Sequence, residues 1–400
     1  MNIGLYPRMS NWEKSFFVVG FLAFITTLIW GHQNFVVALY GCLPFLFGLP
    51  LCYIIGRKIQ IEDLFLYVKL VIYTSVINSA LMIIQFMLSP SHFLNFSGGE
   101  VDDRIANVDV SELAGMFRPC GLFVHNTHST QFMALAFVLI LYCLFINKNL
   151  VPKLVLLVSL TLSVFACVCS ASRTCIIVHT GILAYFLAFV LSKRARKSVY
   201  KSLFVLGVIL TFLILSPLGK TALNNLENRF DNASESLSKG KTSTIDGTIS
   251  DFWNRTVVYN VEAIVDPHTL DGNTPPFWGY GQGLSTQVGG RITGQGKKHS
   301  GFALAEWDGL RIMCESGYIL GWLIIFIRMG YVLRFFPCTY KKKYNSMMKC
   351  LYFPFFLSFF LLSTWGNLFV ANFAFLVGGI YLAGLRMNNE ILKLELISNQ

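Results

Sequence analysis

The sequence predicts an all-α protein that crosses a membrane many times, and three observations predict it: composition, the length of the apolar runs and the charge distribution. The 400 residues are 54% hydrophobic and 13% charged, with a mean hydropathy of +0.58. Soluble domains carry about 25% charged residues, so a soluble chain of this length could not cover its surface with polar groups. The apolar runs approach the ~18 residues that mark a membrane-spanning helix. We therefore expect a helical bundle in lipid.

Along the chain we expect about ten transmembrane helices. They are predicted near residues 15–30, 35–55, 64–88, 122–146, 153–171, 174–191, 202–217, 313–335, 350–363 and 366–385. About seven fall within 1–217, which also contains a polar loop at 89–120, and about three fall within 303–400, before a short tail. Residues 218–302 form one large polar loop in which we expect short helices. Connections longer than ~15 residues are usually functional or disordered, so this loop is a candidate site.

The basic residues are divided unevenly between alternate loops. One set of loops carries 19 Lys and Arg against five Asp and Glu, and the opposite set carries 12 against 16. Short basic loops mark the cytoplasmic face, so we expect both termini in the cytoplasm and the large loop outside it. Anionic inner-leaflet lipids then account for the basic pI of about 9.1, and no nucleic-acid partner is expected.

The ten cysteines do not form a disulfide or metal pattern in the sequence. Most lie inside apolar runs, as Cys143 and Cys167 do, and none form a CxxC pair. We interpret them as packing residues, and we expect no metal and no cofactor.

Two candidate sites lie next to the ends of predicted spans. Arg118 precedes the residues that open the fourth span, among them Asn126. An arginine there either extends to the membrane surface or takes part in function. Arg173 follows Ser172 in a tight connection between two apolar runs. Because a guanidinium near the membrane boundary is costly, we expect Arg173 to meet an anionic group.

The large loop and the span that follows it supply two more candidate sites. Arg255 lies near the start of a short helical stretch at 253–263, and a Gly-rich turn follows at 275–283, where glycines permit positive φ. Further on, spacings of three and four place Asp308, Arg311 and Glu315 on one helix face, with Arg311 and Glu315 expected to form an ion pair. Glu306 lies off that face and is available as a general base.

The order of these clusters resembles the bacterial O-antigen polymerase and O-antigen ligase superfamily over roughly residues 115–325. Four features match: R-x-x-G-x-F followed by Asn at 118–126, S-R at 172–173, N-R-x(3)-Y-x(3)-A-I with P…G-Y-G-x-G at 254–283, and E-x-G at 315–317. The resemblance implies a GT-C-like glycosyltransferase bundle with a large periplasmic loop, in the bacterial inner membrane.

The resemblance also implies metal-independent, inverting glycosyl transfer from an undecaprenyl-diphosphate-linked oligosaccharide. Arg173 and Arg255 would hold the diphosphate by bidentate hydrogen bonds, with Arg118 as a third cation. Glu306 would be the base that activates the acceptor hydroxyl. The remaining residues expected to shape the substrate site are Asp308, Arg311, Glu315 and Asn126.

This sequence departs from the ligase pattern at one position. Ligases usually carry His-Asn nine residues before the Glu of E-x-G, where this chain has Glu306 and Trp307. The departure favours a polymerase of surface-polysaccharide repeat units, acting on a glycan acceptor and beside a possible chain-length regulator. His299 could replace the missing imidazole if the loop folds back.

Three alternatives remain open from the sequence. A ligase would transfer finished glycan to a lipid A-core acceptor. A transporter or flippase of lipid-linked sugars predicts mid-membrane charges and broken, repeated spans, and only Lys69, near the cytoplasmic end of its span, fits this pattern. A membrane scaffold without chemistry is the third.

Overall fold

The computed structural model describes 15 segments of the chain, and most of the residues in them are helical. They are residues 11–88, 92–95, 110–111, 116–117, 119–123, 126–191, 207–208, 211–235, 258–268, 274–284, 286, 289, 292–293, 308–361 and 368–398. One short antiparallel ladder pairs Val110–Ser111 (β1) with Met116–Phe117 (β2).

The helices of these segments are numbered in chain order. They are α1 (Asn11–Ile29), α2 (Phe35–Lys58, with a π-helical turn at Pro44–Gly48), α3 (Ile61–Met87), α4 (Asn126–Phe145), α5 (Lys153–Cys169), α6 (Arg173–Tyr185, continued by a π-helical turn at Phe186–Val190), α7 (Pro217–Glu235), α8 (Tyr259–Val265), α9 (Asp308–Leu333), α10 (Pro337–Tyr340), α11 (Ser346–Phe356, continued by a π-helical turn at Leu357–Leu361), α12 (Leu368–Arg386) and α13 (Asn388–Ser398).

Four of these helical stretches are long and apolar enough to cross a membrane. They are Phe35–Lys58, Ile61–Met87, His128–Phe145 and Asp308–Tyr340, and four shorter apolar helices accompany them in the described part of the chain. The predicted helical class is confirmed, and these apolar helices are consistent with a helical membrane protein. The count of ten spans stays a prediction.

The chain divides into two compact units. The first comprises residues 1–60, 249–341 and 355–388. Inside it α2 and α12 approach closely, because glycines remove side chains at the contact: a Cβ on Gly48 would lie 2.0 Å from the Phe375 ring, and one on Gly379 would lie 2.7 Å from Ile55 Cβ. Small residues bring membrane helices together in this way. Arg386 then caps α2 by donating from Nε to Gly56 O at 3.1 Å.

The second unit comprises residues 61–248, 342–354 and 389–400, and α4 is its core. Every residue from His128 to Leu144 is buried, whereas only 39% of the apolar stretch of α3 is buried. A helix that is apolar on all sides belongs in an interior, and the neighbours α3, α5 and α6 enclose this one. In the same unit, α7 packs on α5 through a small cluster that includes Phe165, Cys169 and Ala222.

Glu395 of α13 holds the first turn of α11. Its carboxylate oxygens accept hydrogen bonds from the main-chain N–H of Ser346 (3.0 Å) and Met347 (3.1 Å). The side chain is buried, and this burial raises the pKa of Glu395 against the opposing effect of the two amide donors. The folded chain therefore binds the Glu395 proton more tightly than the unfolded chain does.

This raised pKa predicts how Glu395→Gln changes stability with pH. Glutamine does not titrate, and its single amide oxygen can accept only one of the two hydrogen bonds. We therefore expect the free energy of unfolding to fall by about 1 kcal/mol. The contribution of Glu395 is fully present below its unfolded pKa and is lost as pH rises through its folded pKa. The advantage of the wild type over Glu395→Gln should therefore be larger near about pH 5 than near about pH 8. Thermal unfolding of both proteins in one detergent measures it, and an advantage that grows with pH would contradict it.

Candidate functional site

The helix α9 reverses direction at Gly317. This residue has φ 73° and ψ −175°, outside the helical region. Arg328 Nη2 lies 3.1 Å from Asp308 Oδ2, although 20 residues of straight helix would separate them by about 30 Å. The segment Asp308–Ser316 therefore folds back on the helix that follows it, and Gly321 lies directly against Met313.

The Gly-rich turn joins both halves of this reversal. Where a helix ends, its last carbonyls and the first N–H groups of the next helix lack partners in the helix. Three main-chain hydrogen bonds from residues 277–281 supply them: Tyr318 N–H to Phe277 O (3.1 Å), Tyr280 N–H to Cys314 O (2.8 Å) and Gly281 N–H to Glu315 O (3.0 Å). The turn thus caps one half-helix at its C-terminus and the other at its N-terminus.

Glycine is required on both sides of this contact. Gly279 has φ 78°, and a Cβ there would lie 2.4 Å from Glu315 O. A Cβ on Gly317 would lie 2.1 Å from Phe277 O. The G-Y-G-x-G and E-x-G motifs, which are more than 30 residues apart in sequence, are therefore two parts of one structure.

The other edge of the turn contacts the connection between α1 and α2. Gln282 accepts from His32 Nε2 through its carbonyl (2.9 Å), and its own N–H donates to Thr27 Oγ1 (2.9 Å). His32 Nδ1 accepts from Asn34 N–H (3.1 Å), so both bonds require a neutral His32 with its proton on Nε2. The Gln282 amide reaches Ser316 Oγ at 2.6 Å. The sequence alone did not indicate either side chain, because His32 belongs to no recognisable motif and Gln282 occupies the variable position of G-Y-G-x-G.

Asp308, the first residue of α9, forms a buried ion pair with Arg328 in the second half of the same helix. Both side chains are 4% exposed, and Arg328 also donates to Phe359 O from Nε (3.0 Å) and Nη2 (2.7 Å). Arg328 lies eleven residues beyond Gly317, or about 16 Å along the helix, and therefore inside α9. Charge counting along the sequence places Arg328 among the basic loop residues. That prediction is wrong, because the reversal of α9 brings a buried carboxylate to Arg328.

Arg311 and Glu315 form the predicted ion pair, with Arg311 Nε 3.4 Å from Glu315 Oε1 and both side chains buried. The pair is incomplete on the arginine side: Arg311 Nη2 is buried and has no hydrogen-bond partner in the described part of the chain. An unmet donor on a buried guanidinium is costly, and an anionic ligand would satisfy it. Asp308, which was predicted on the same helix face, forms its ion pair with Arg328.

The glycine of the R-x-x-G motif has a structural role. Gly121 has φ 68°, and a Cβ there would lie 2.1 Å from Asn78 Oδ1. Its N–H donates to Gln85 Oε1 (2.8 Å), and the next N–H, of Leu122, donates to Asn78 Oδ1 (2.8 Å). Two buried amide side chains of α3 therefore fix the chain just before α4.

The other predicted site residues are described only in part. Asn126 begins α4 and Arg173 begins α6, where Ser172 Oγ accepts from Cys175 N–H (3.3 Å), but the Asn126 and Arg173 side chains lie outside the described residues. The same is true of four whole residues: Arg118, Arg255, His299 and Glu306. The predicted meeting of guanidinium groups around one diphosphate stays a prediction.

Comparison with known proteins adds no relative. No family model, no curated protein and no solved structure matches this chain. The resemblance to the O-antigen polymerase and ligase superfamily therefore rests on the four motifs alone.

Proposed function

We propose that this protein is a membrane glycosyltransferase that polymerises oligosaccharide units carried on undecaprenyl diphosphate. The observation that supports it best is the ion pair of Arg311, a buried guanidinium whose Nη2 donor has no partner among the described residues and which lies beside the junction of two motifs. Such a group favours a ligand with anionic oxygens, and the sugar donor carries a diphosphate. In this proposal the protein resides in the bacterial inner membrane with residues 218–302 on the periplasmic side.

The proposed reaction is a single in-line displacement. The acceptor hydroxyl attacks the anomeric carbon of the donor, and Glu306 accepts the hydroxyl proton as the new glycosidic bond forms. The bond from the anomeric carbon to the diphosphate breaks, and its electron pair leaves with the diphosphate. Arg173 and Arg255 stabilise this growing negative charge, which is why the reaction needs no metal. One displacement inverts the anomeric configuration.

A transporter of the same lipid-linked sugars is the second candidate, and one observation favours it. From the sequence only Lys69 fitted a transporter, yet the structure has the broken helix α9 and the buried pair Asp308–Arg328 about 16 Å from the break. Discontinuous helices and mid-membrane charges are typical of secondary transporters. The glycosyltransferase remains first because the four motifs occur in the family order.

The proposal predicts the effect of removing the diphosphate-binding arginines. In a deletion strain, Arg173→Ala and Arg255→Ala should each reduce polymer formation by about 10²-fold, the usual effect of losing one transition-state donor. Gel ladders of the surface polysaccharide, read at matched expression, measure the effect. Arg334→Ala is the matched control, because Arg334 stacks on Tyr331 and Phe335 at the far end of α9.

The same ladders separate the alternatives. Loss of a polymerase shortens the chains to single units, whereas loss of a ligase leaves full-length chains on the lipid carrier. If both arginine variants leave chain length and core attachment unchanged, the proposed mechanism is wrong.

A further inference from the structure

Two cysteines and a histidine meet at the turn between α5 and α6. The ligand atoms of Cys167, Cys175 and His179 all lie within 4.8 Å of one another, and all three residues are buried. His179 Nδ1 is 3.6 Å from Cys175 Sγ and 3.9 Å from Cys167 Sγ. The three side chains come from two helices, so their meeting depends on the fold and is not produced by neighbouring sequence.

These separations agree with the geometry of a tetrahedral metal site. With Zn–S bonds of ~2.3 Å and Zn–N bonds of ~2.0–2.1 Å, tetrahedral angles place sulfur and nitrogen about 3.5 Å apart and two sulfurs about 3.8 Å apart. The observed S···N distances of 3.6 and 3.9 Å exceed this by about 0.1 and 0.4 Å, and the two sulfurs lie within 4.8 Å of each other. A contraction of about 1 Å or less would therefore bring all three atoms into coordination.

The surroundings also suit a dication with two thiolates. Two thiolates and Zn²⁺ sum to zero charge, which makes the cluster compatible with an apolar interior. Thr130 forms a hydrogen bond with Cys175, and such bonds from groups outside the coordination shell orient metal ligands. Phe137 packs on the His179 ring. His179 Nδ1 lies 2.8 Å from Cys175 O, and metal binding at Nδ1 would replace this hydrogen bond and transfer the ring proton to Nε2, which is buried and has no partner among the described residues.

We propose that Cys167, Cys175 and His179 bind one zinc ion that clamps α5 to α6. The two cysteines stand four residues on either side of Ala171, whose φ of 46° is unfavourable for a residue with a Cβ. A metal bond to each side of this turn holds the strained conformation. It therefore also fixes the start of α6, where Arg173 lies, and this inference does not depend on the proposed glycosyltransferase activity.

Metal analysis of the purified full-length protein tests the site. We expect one zinc ion per chain by mass spectrometry of the metal content, and loss of that zinc in Cys167→Ser, Cys175→Ser and His179→Ala. Replacement with Co²⁺ should produce thiolate-to-cobalt charge-transfer absorption in the wild type. His179→Cys keeps three ligand atoms and should retain zinc, which separates loss of a ligand from loss of the fold. Cys143→Ser is the matched control, since Cys143 is buried in α4 and outside the cluster.

Several results would overturn the site. The first is a wild-type protein without zinc. The second is an adventitious ion only, seen as zinc that persists in the Cys167→Ser/Cys175→Ser/His179→Ala triple variant. The others are copper in place of zinc and a disulfide between Cys167 and Cys175 shown by thiol counting. Zinc lost equally from Cys143→Ser would also overturn it.

Discussion

Gly317→Ala is expected to destabilise the protein by about 3 kcal/mol or more, because two costs add at this position. The backbone at φ 73° and ψ −175° is in a region that only glycine adopts readily, and a side chain would collide with Phe277 O at 2.1 Å. Main-chain oxygen cannot move aside without breaking the hydrogen bond it accepts from Tyr318 N–H. Thermal unfolding and size-exclusion profiles in detergent measure the loss.

Gly207→Ala is the matched control for this substitution. Gly207 is exposed in a helical stretch, and a Cβ there meets none of the described residues within 4 Å. Alanine has the higher helix propensity, so this change should be neutral or stabilising by up to about 1 kcal/mol. If Gly317→Ala unfolds at the same temperature as Gly207→Ala, the helix reversal described for α9 is wrong.

Arg328→Met is the second substitution with a large expected effect. It leaves the Asp308 carboxylate buried without its cation and removes both donors to Phe359 O. Breaking a buried pair by removing one partner typically costs about 3–5 kcal/mol. We expect a loss of stability in this range, measured by thermal or denaturant unfolding in detergent.

The double variant Asp308→Leu/Arg328→Met identifies the cause. An apolar pair of similar volume avoids the uncompensated charge, so the double variant should be more stable than Arg328→Met alone. Arg334→Met, one residue beyond the end of α9, removes the stacking on Tyr331 and Phe335 and should cost about 1 kcal/mol or less. A double variant less stable than Arg328→Met would mean that the ion pair is not what Arg328 contributes.

The helical class and several motif roles could be predicted from sequence, because they depend on local pattern. Long apolar runs predicted the helices of the described chain, and the i,i+4 spacing predicted the Arg311–Glu315 pair. The glycines of the turn at 275–283 were expected to adopt positive φ, and Gly279, Gly281 and Gly283 do so.

The reversal of α9 could not be predicted, because it depends on a contact between distant segments. Residues 308–333 read as one continuous helix, and only the turn at 277–281 supplies the hydrogen bonds that make a break at Gly317 possible. The buried position of Arg328 follows from this reversal, so a charge count along the sequence placed it in a loop.

The cysteine and histidine cluster was missed for a related reason. Metal sites are recognised in a sequence by CxxC pairs, whereas Cys175 and His179 are one helical turn apart and Cys167 is on the preceding helix. A cysteine and a histidine at i and i+4 beside a tight turn was the available signal. Its third member becomes evident only when α5 and α6 pack.

The most direct test of the glycosyltransferase proposal is an assay with purified protein in lipid nanodiscs. A synthetic undecaprenyl-diphosphate oligosaccharide is supplied as both donor and acceptor, and products are read by mass spectrometry. The proposal predicts glycans extended by whole repeat units together with released undecaprenyl diphosphate, and neither product with Glu306→Gln. Intact substrate that is only moved across the bilayer in proteoliposomes, with no diphosphate carrier released, would contradict it and favour the transporter.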